Sequence, residues 1–401
     1  MVLVAEAAVW LLEPRGEIPD PVPVSERDYF SATELARAHD YVGGQRLLAY
    51  VGLGIEGVVL FTLALHPPRR ARRALARLGS RPLLGGAAAG AAVSVTIALA
   101  TLPTSFAAHE RTVDAGLSSQ STSSWLWDVA RSAGITALLT GAGMAILLTL
   151  VRRSPRRWWI AGAGIATALA VVFTWIAPVV LAPIFNRFEP LPASSRARAD
   201  VLEIARRAGV EIGEVYEIDA SRRTNTLNAY VDGIGSSKRV VLYDNLLDRA
   251  KRAELNSVVA HELGHVADDD ILRGLGFFAI VAPLGMLFVG ELAGAIARRS
   301  GADPATPAAV PAYLLALALA AFVLNVPGNQ LSRRVEARAD AFALELTDDP
   351  QALISVQRHL KRASLGDPDP PAVVHFLFGT HPSTVERIGA ALAFSRETPS
   401  P

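Results

Sequence analysis

The 401-residue sequence contains no cysteine. Disulfide frameworks, thiolate metal sites and a cysteine nucleophile are therefore excluded, and any metal must be held by His, Asp or Glu. Charge is scarce as well: 19% of the residues are Asp, Glu, Lys or Arg, against about 25% in an ordinary soluble domain. Together with 51% hydrophobic residues and a positive mean hydropathy, this deficit points to a lipid bilayer as the solvent for much of the chain. The formal net charge of +1 gives no basis for a nucleic-acid partner, because phosphate binding needs a surplus of cations on one face. Lysine occurs only at Lys238, Lys251 and Lys361, so arginine carries nearly all the positive charge.

Crossing the hydrocarbon core as a helix takes about 20 apolar residues. Six stretches qualify: residues 47–65, 83–102, 133–151, 158–182, 274–297 and 308–326. The opening "MVLVAEAAVWLLEP" is too short to span and lacks the flanks of a signal peptide, so it is expected to lie at the interface or to pack on the bundle. Arginines crowd the links "HPPRRARRALARLGSR" and "RRSPRR" and recur as Arg298 and Arg299, while the link at 103–130 has few. The positive-inside tendency makes the arginine-rich links cytoplasmic and puts both termini, and everything between the fourth and fifth spans, outside. The small residues of "GGAAAG" in the second span suit close helix packing. Glu56 and Glu291 fall in or near apolar spans, where a carboxylate is costly; Glu56 either lines a wet interior or pairs structurally, and Glu291 is close enough to an end to be interfacial.

The sizeable polar stretch is 186–273. It reads as an amphipathic helix, "SSRARADVLEIARRAGV", then short strands in "EVYEID", "TLNAYVDG" and "KRVVLYD", the last two joined as a hairpin by the turn "IGSS". A helix from about residue 251 is expected to carry "HELGH" directly into the fifth span, and the chain to stay helical after the sixth span through "QLSRRVEARADAFALELT".

In "HELGHVADDD", residues 261–270, His261 and His265 are four apart and project from one helix face, so both imidazoles can meet one ion. Glu262 lies one step around, placed to take a proton from a water. This is the His-Glu-x-x-His arrangement of zinc hydrolases, and its chance occurrence in this composition is on the order of one in a hundred. Zinc needs a third protein ligand. Glu336 is the candidate, with Asp340 one turn on to accept a ligating imidazole's free N–H; taken alone, the charges of "SRRVEARAD" also fit a solvated, salt-bridged helix. Asp268, Asp269 and Asp270 follow the histidines too closely to close a tetrahedron.

The blocks "LNAYVDG…KRVVLYDNLL", "VVAHELGHV", "LSRRVEARADAFA" and "HPSTVERI", in this order, resemble the type I CAAX prenyl proteases, integral membrane zinc metalloproteases of the gluzincin kind. Weaker likeness in "LPTSFAAHERTVDAGLSSQ" and "APVVLAPIFNRFEPLP" extends the resemblance over about residues 45–390, and the Ala, Gly and Arg load fits a bacterial member. The six spans and the strand pattern imply a mainly α fold: a polytopic membrane bundle of about six helices with a small α+β zinc metalloprotease domain containing a β-hairpin; the resemblance implies that the bundle encloses a chamber. The expected division is an N-terminal extramembrane segment 1–46, a four-helix membrane region 47–185, the catalytic domain 186–273, two further spans 274–326 and a C-terminal helical region 327–401.

Residue by residue, the resemblance implies one zinc ion on His261, His265 and Glu336, Glu262 as general base and Asp340 behind a ligand. It adds His381 as stabiliser of the oxyanion, and Asn228, Ala229, Tyr230 and Arg387 as substrate contacts. The expected partner is a peptide or protein substrate in extended conformation, gripped by an added strand. The eukaryotic members carry five helices before the zinc motif and this chain four, which reverses parity: the arginines place the site outside the cytoplasm of a plasma-membrane protein, the relatives inside. Two other readings are a quality-control membrane protease of the heat-shock type and a non-catalytic protein whose zinc is structural.

Overall fold

A computed structural model describes residues 1–78, 82–233 and 238–397. The N-terminal helix α1 (Val2–Leu12) is followed by α2 (Ala32–Leu65), which starts behind a capping box in which Ser31 and Glu34 satisfy each other's backbone N–H groups. Then come α3 (Arg69–Arg77), α4 (Pro82–Asp114), α5 (Thr122–Arg153) and α6 (Trp158–Ile176), the last running through a π-helical turn at Ala177–Leu181 into the short α7 (Ala182–Phe185). The polar middle of the chain forms β1 (Phe188–Pro190), α8 (Arg196–Arg207), β2 (Glu214–Ile218), β3 (Ala229–Asp232), β4 (Arg239–Tyr243), α9 (Asp244–Arg249) and α10 (Arg252–Ala267). Helices α11 (Asp270–Arg299), α12 (Val310–Thr347), α13 (Pro350–Ser364), α14 (Ala372–Phe378) and α15 (Thr384–Glu397) complete it.

Among the described residues six helical segments are long and apolar enough to cross a membrane: Ala32–Leu65, Leu83–Asp114, Thr122–Arg153, Trp158–Phe185, Asp270–Arg299 and Pro307–Thr347. Each expected span lies inside one of them, but the helices run further. The first begins at Ala32 rather than 47, so 32–46 continue the helix of the first span. The link expected at 103–130 shrinks to the short connection between Asp114 and Thr122, and the boundaries drawn at 273/274 and 326/327 fall inside α11 and α12. Apolarity marks only the lipid-facing part of a helix whose polar end stands in water or against protein.

The bundle packs through small residues. A Cβ added at Gly90 would lie 2.9 Å from the Thr140 carbonyl oxygen, and one at Gly141 2.8 Å from that of Ala87, so α4 and α5 touch backbone to backbone through "GGAAAG". Helix α1 packs on the bundle, with Ala5 and Ala8 buried beside Val281. Glu56 lines a cavity of about 660 Å³ among α2, α4, α5 and α12 together with Ser94, Thr101, Asp128 and Thr136, the wet-interior alternative for that carboxylate. Glu291 is exposed.

The sheet has the order β1-β2-β4-β3. Strands β3 and β4 pair antiparallel from Ala229↔Leu242 to Asp232↔Arg239, as the hairpin reading required; its turn "IGSS" lies outside the described residues. Strand β2 runs parallel to β4, and β1 adds antiparallel to β2. The core of this unit joins Val201 and Ile204 of α8, Val215, Val240 and Leu242 of the sheet, and Val259, Ala260 and Leu263 of α10.

One expectation is corrected. The motif helix does not run into the fifth span: α10 ends at Ala267, and Asp269 takes a left-handed conformation (φ 53°) before α11 starts at Asp270. A left-handed residue ends the helical hydrogen-bond ladder and redirects the chain, and Asp is one of the few non-glycine types that adopts it readily.

Candidate active site

Helix α10 is fixed at its start by Glu254, which accepts from the Lys251 backbone N–H (3.0 Å) and the Ser355 hydroxyl (2.6 Å) and contacts His359 Nδ1 at 3.1 Å. This holds α10 against α13. Its apolar side, Leu255, Val259 and Leu263, is buried on the sheet, and its other side meets α12. The crossing is close because position 264 is glycine: a Cβ there would sit 3.3 Å from Ala339 Cα and 3.2 Å from Phe342.

That approach brings the two parts of the donor set together. His261 Nε2 lies 3.3 Å from Glu336 Oε2 and His265 Nε2 3.7 Å from Glu336 Oε1; one donor atom from each of the three residues lies within 4.8 Å of the others. The imidazole planes stand 86° apart, so they approach one point from different directions. Behind the rings, His261 Nδ1 meets Asp340 Oδ1 at 2.9 Å and His265 Nδ1 meets Asp270 Oδ2 at 2.9 Å. Each imidazole thus has a carboxylate on Nδ1, which fixes the tautomer and leaves Nε2 as ligand.

The residues fit a metal. Glu336 Oε2 is buried and lies 3.3 Å from both His261 Nε2 and His381 Nε2, yet neither contact has the alignment of a hydrogen bond; a cation at the His261–His265–Glu336 focus would satisfy it. Burial acts to lower the pKa of His261, but the carboxylates of Asp340 and Glu336 outweigh it and lift the value to about 10. Burial raises the Glu262 carboxyl above its ordinary range, against the opposing charge of His261 and His265.

His381, on the segment between α14 and α15, brings its Nε2 to 3.3 Å from Glu336 Oε2 while Nδ1 meets the Thr380 hydroxyl at 2.8 Å. Strand β3 is the sheet edge beside α10. The Tyr243 backbone N–H donates to the Asn228 carbonyl (3.1 Å), so by antiparallel alternation the backbone groups of Ala229 and Val231 point away from β4 toward the free edge. The side chain of Asn228 is exposed and that of Ala229 buried. Burial, with the charge of Asp232 next, raises the Tyr230 phenol to about 12, so it remains a donor.

Arg387 is corrected. The substrate contact expected of it does not fit its position: its guanidinium is spent on Asp340, with Nε donating to Oδ2 at 2.6 Å and Nη2 to Oδ1, and Nη2 lies 3.5 Å from His261 Nδ1. It sits behind the ligand. Asp270 is the residue that sequence reasoning missed, set aside because it follows the histidines too closely to be a ligand. The turn at Asp269 brings it back beside His265, and Arg273 holds its other oxygen at 3.1 Å. A run of acids directly after a metal-binding helix is the signal that was available.

Comparison with known proteins gives the family. The model of peptidase family M48 matches residues 193–394, half of the chain. The chain belongs to peptidase family M48. A second model, the CAAX prenyl protease N-terminal region with five membrane helices, matches residues 69–187. Among M48 relatives, the uncharacterized metalloprotease YhfN of Bacillus subtilis (strain 168) is 27% identical over 380 residues, 92% of this chain and 89% of its own. A CAAX prenyl protease 1 homolog of Oryza sativa subsp. japonica is 30% identical over 281 residues, 66% of this chain but only 64% of that relative. The crystal structure of S. mikatae Ste24p superposes with a TM-score of 0.80 at 18% identity, over 97% of this chain and 98% of that one, which shows a shared fold. The protein is a multi-pass membrane metalloendopeptidase of the M48 family.

Proposed function

We propose that this M48 protein is a zinc-dependent endopeptidase that cleaves an extended peptide laid along the free edge of β3. The observation that carries the reading is the convergence of His261, His265 and His381 on the buried Glu336 carboxylate, whose Oε2 has imidazole nitrogens close by but no aligned hydrogen bond. Zinc bound by His261, His265 and Glu336 supplies Lewis-acid polarisation of the scissile carbonyl and lowers the pKa of water toward about 7.

The remaining work belongs to the chain. Glu262 takes a proton from the attacking water and delivers it to the departing amine nitrogen. His381 Nε2 donates to the carbonyl oxygen as charge develops on it, an interaction worth about 3 kcal/mol in comparable sites. Asp340 and Asp270 hold the ligand imidazoles, and Arg387 holds Asp340. The backbone of Ala229 and the exposed amide of Asn228 grip the substrate main chain, as in strand addition generally.

The test is hydrolysis of a mixed peptide library, with CAAX-terminated prenylated peptides included, by detergent-purified wild type and Glu262→Gln. Wild type is expected to cut, and the variant to keep one equivalent of zinc while losing at least about a thousandfold in rate. Equal zinc in both with no cleavage by either would instead favour a structural ion, closed by His381 as fourth ligand.

We further place the site on the outer side of the plasma membrane. Counting span by span, α3, the arginines at 152–157 and Arg298–Arg299 fall on the face opposite the catalytic unit, which the positive-inside tendency makes cytoplasmic. Because the chain has no cysteine, single cysteines at Ser154 and Ser395 can be probed on intact cells with an impermeant maleimide. Labelling at 395 but not 154 is expected, and the reverse pattern overturns the assignment.

A further inference from the structure

The segment that carries His381 is short and lies between two helices, so something must hold it. Helix α14 has seven residues, and the last carbonyls of a helix lack partners within it. Three side chains of α12 supply them, Asn325 with a long 3.5 Å contact to the Leu377 carbonyl and two closer ones. Buried Asn329 donates to the Leu377 carbonyl at 2.9 Å, and Arg333 Nη1 donates to the Gly379 carbonyl at 2.6 Å and to that of His375 at 3.3 Å. The ring of His375 returns the contact, its Nε2 meeting the His381 carbonyl at 2.8 Å.

These contacts close a small circuit. Arg333 is one turn ahead of Glu336 on the same helix, Gly379 is two residues ahead of His381, and His381 Nε2 ends 3.3 Å from Glu336 Oε2. After His381 the chain is held again, by the Thr384 N–H on the Pro368 carbonyl (3.0 Å) and by Arg387 on Asp340. Between Gly379 and Thr384, His381 is therefore held by two arginine anchors that both end on the helix of Glu336, Arg333 before it and Arg387 through Asp340 after it, and the Arg333 anchor is the nearer to His381 in the chain.

We propose that Arg333 is a positioning residue for the peptidase reaction: by binding the Gly379 and His375 carbonyls it sets the place of His381 relative to Glu336. The proposal rests on the oxyanion role given to His381 above. Arg333 reaches neither metal nor substrate and acts through the loop alone. One nitrogen, Nη1, serves both carbonyls, and the planar guanidinium at the end of the longer side chain fixes the direction from which it does so. Displacing a catalytic group by about 1 Å can cost up to about a hundredfold in rate.

The experiment is a double-mutant cycle on the full-length, detergent-purified, zinc-loaded protein with a peptide that wild type cleaves. His381→Ala is expected to lower kcat by about a hundredfold. Arg333→Ala is expected to lower kcat by about tenfold with KM and zinc content unchanged, and the double variant to be no slower than His381→Ala alone. Arg333→Lys, which keeps the charge and N–H donors on a shorter side chain without the planar group, is expected to recover part of the loss, and it replaces the alanine variant in the cycle if the latter does not fold. A kcat within twofold of wild type, or a factor that multiplies with that of His381→Ala, overturns the clamp. If His381→Ala is itself silent, the oxyanion role fails first, and the two failures are thereby told apart.

Discussion

The membrane bundle and the catalytic unit are built from different materials. The bundle's core is rich in alanine, with Ala89, Ala293, Ala297, Ala312 and Ala316 buried around Leu148, Trp158 and Tyr313, while Leu47, Val58, Phe61, Leu99 and Leu138 face outward. The catalytic unit buries Val201, Ile204, Val215, Val240, Leu242 and Leu246. In lipid there is no gain in hiding leucine from tails as apolar as itself, so helices associate through close packing of small residues. In water the burial of large side chains is the driving force. One chain therefore obeys two rules for where leucine belongs.

Three substitutions test that contrast through unfolding in a denaturing-detergent titration. The largest effect is expected at Leu242, fully buried between β2 and β3: Leu242→Ala should cost about 2–5 kcal/mol. Gly141→Val follows, since its first added carbon meets the Ala87 carbonyl oxygen at 2.8 Å; it should cost about 1–3 kcal/mol and leave the kcat of the molecules that remain folded unchanged. Leu138→Ala, at a side chain 72% exposed, should stay within about 0.5 kcal/mol. A loss at Leu138 as large as that at Leu242 would show that the outward face is covered by protein rather than lipid.

The same contrast explains what could be read beforehand. Lipid imposes a length and a composition, so all six spans were visible, though their polar extensions were not: nothing apolar marks residues 32–46 or 103–114. Periodicity of two gave the β3–β4 hairpin, whereas β1, three residues long, carries too little pattern to be seen. At the site, His261, Glu262 and His265 were legible from a four-residue spacing on a helix. Glu336 needed the chemical argument that a two-histidine site lacks a ligand. His381 came from family resemblance, because proximity in the fold leaves no local trace. Asp270 was missed for a backbone reason: its role depends on the left-handed turn at Asp269, which a helical reading through the motif erased.

That turn also divides the donor set mechanically. Helix α12 runs from the far membrane face to Glu336 and Asp340 with Pro327 in its interior, while α11 is jointed to the histidine helix at Asp269. The candidate site is thus shared between two bodies. His261 and His265 belong to a helix that packs on the sheet, Glu336 and Asp340 to one that crosses the bilayer, and the contact of Gly264 with Ala339 is where the two bodies are held in register.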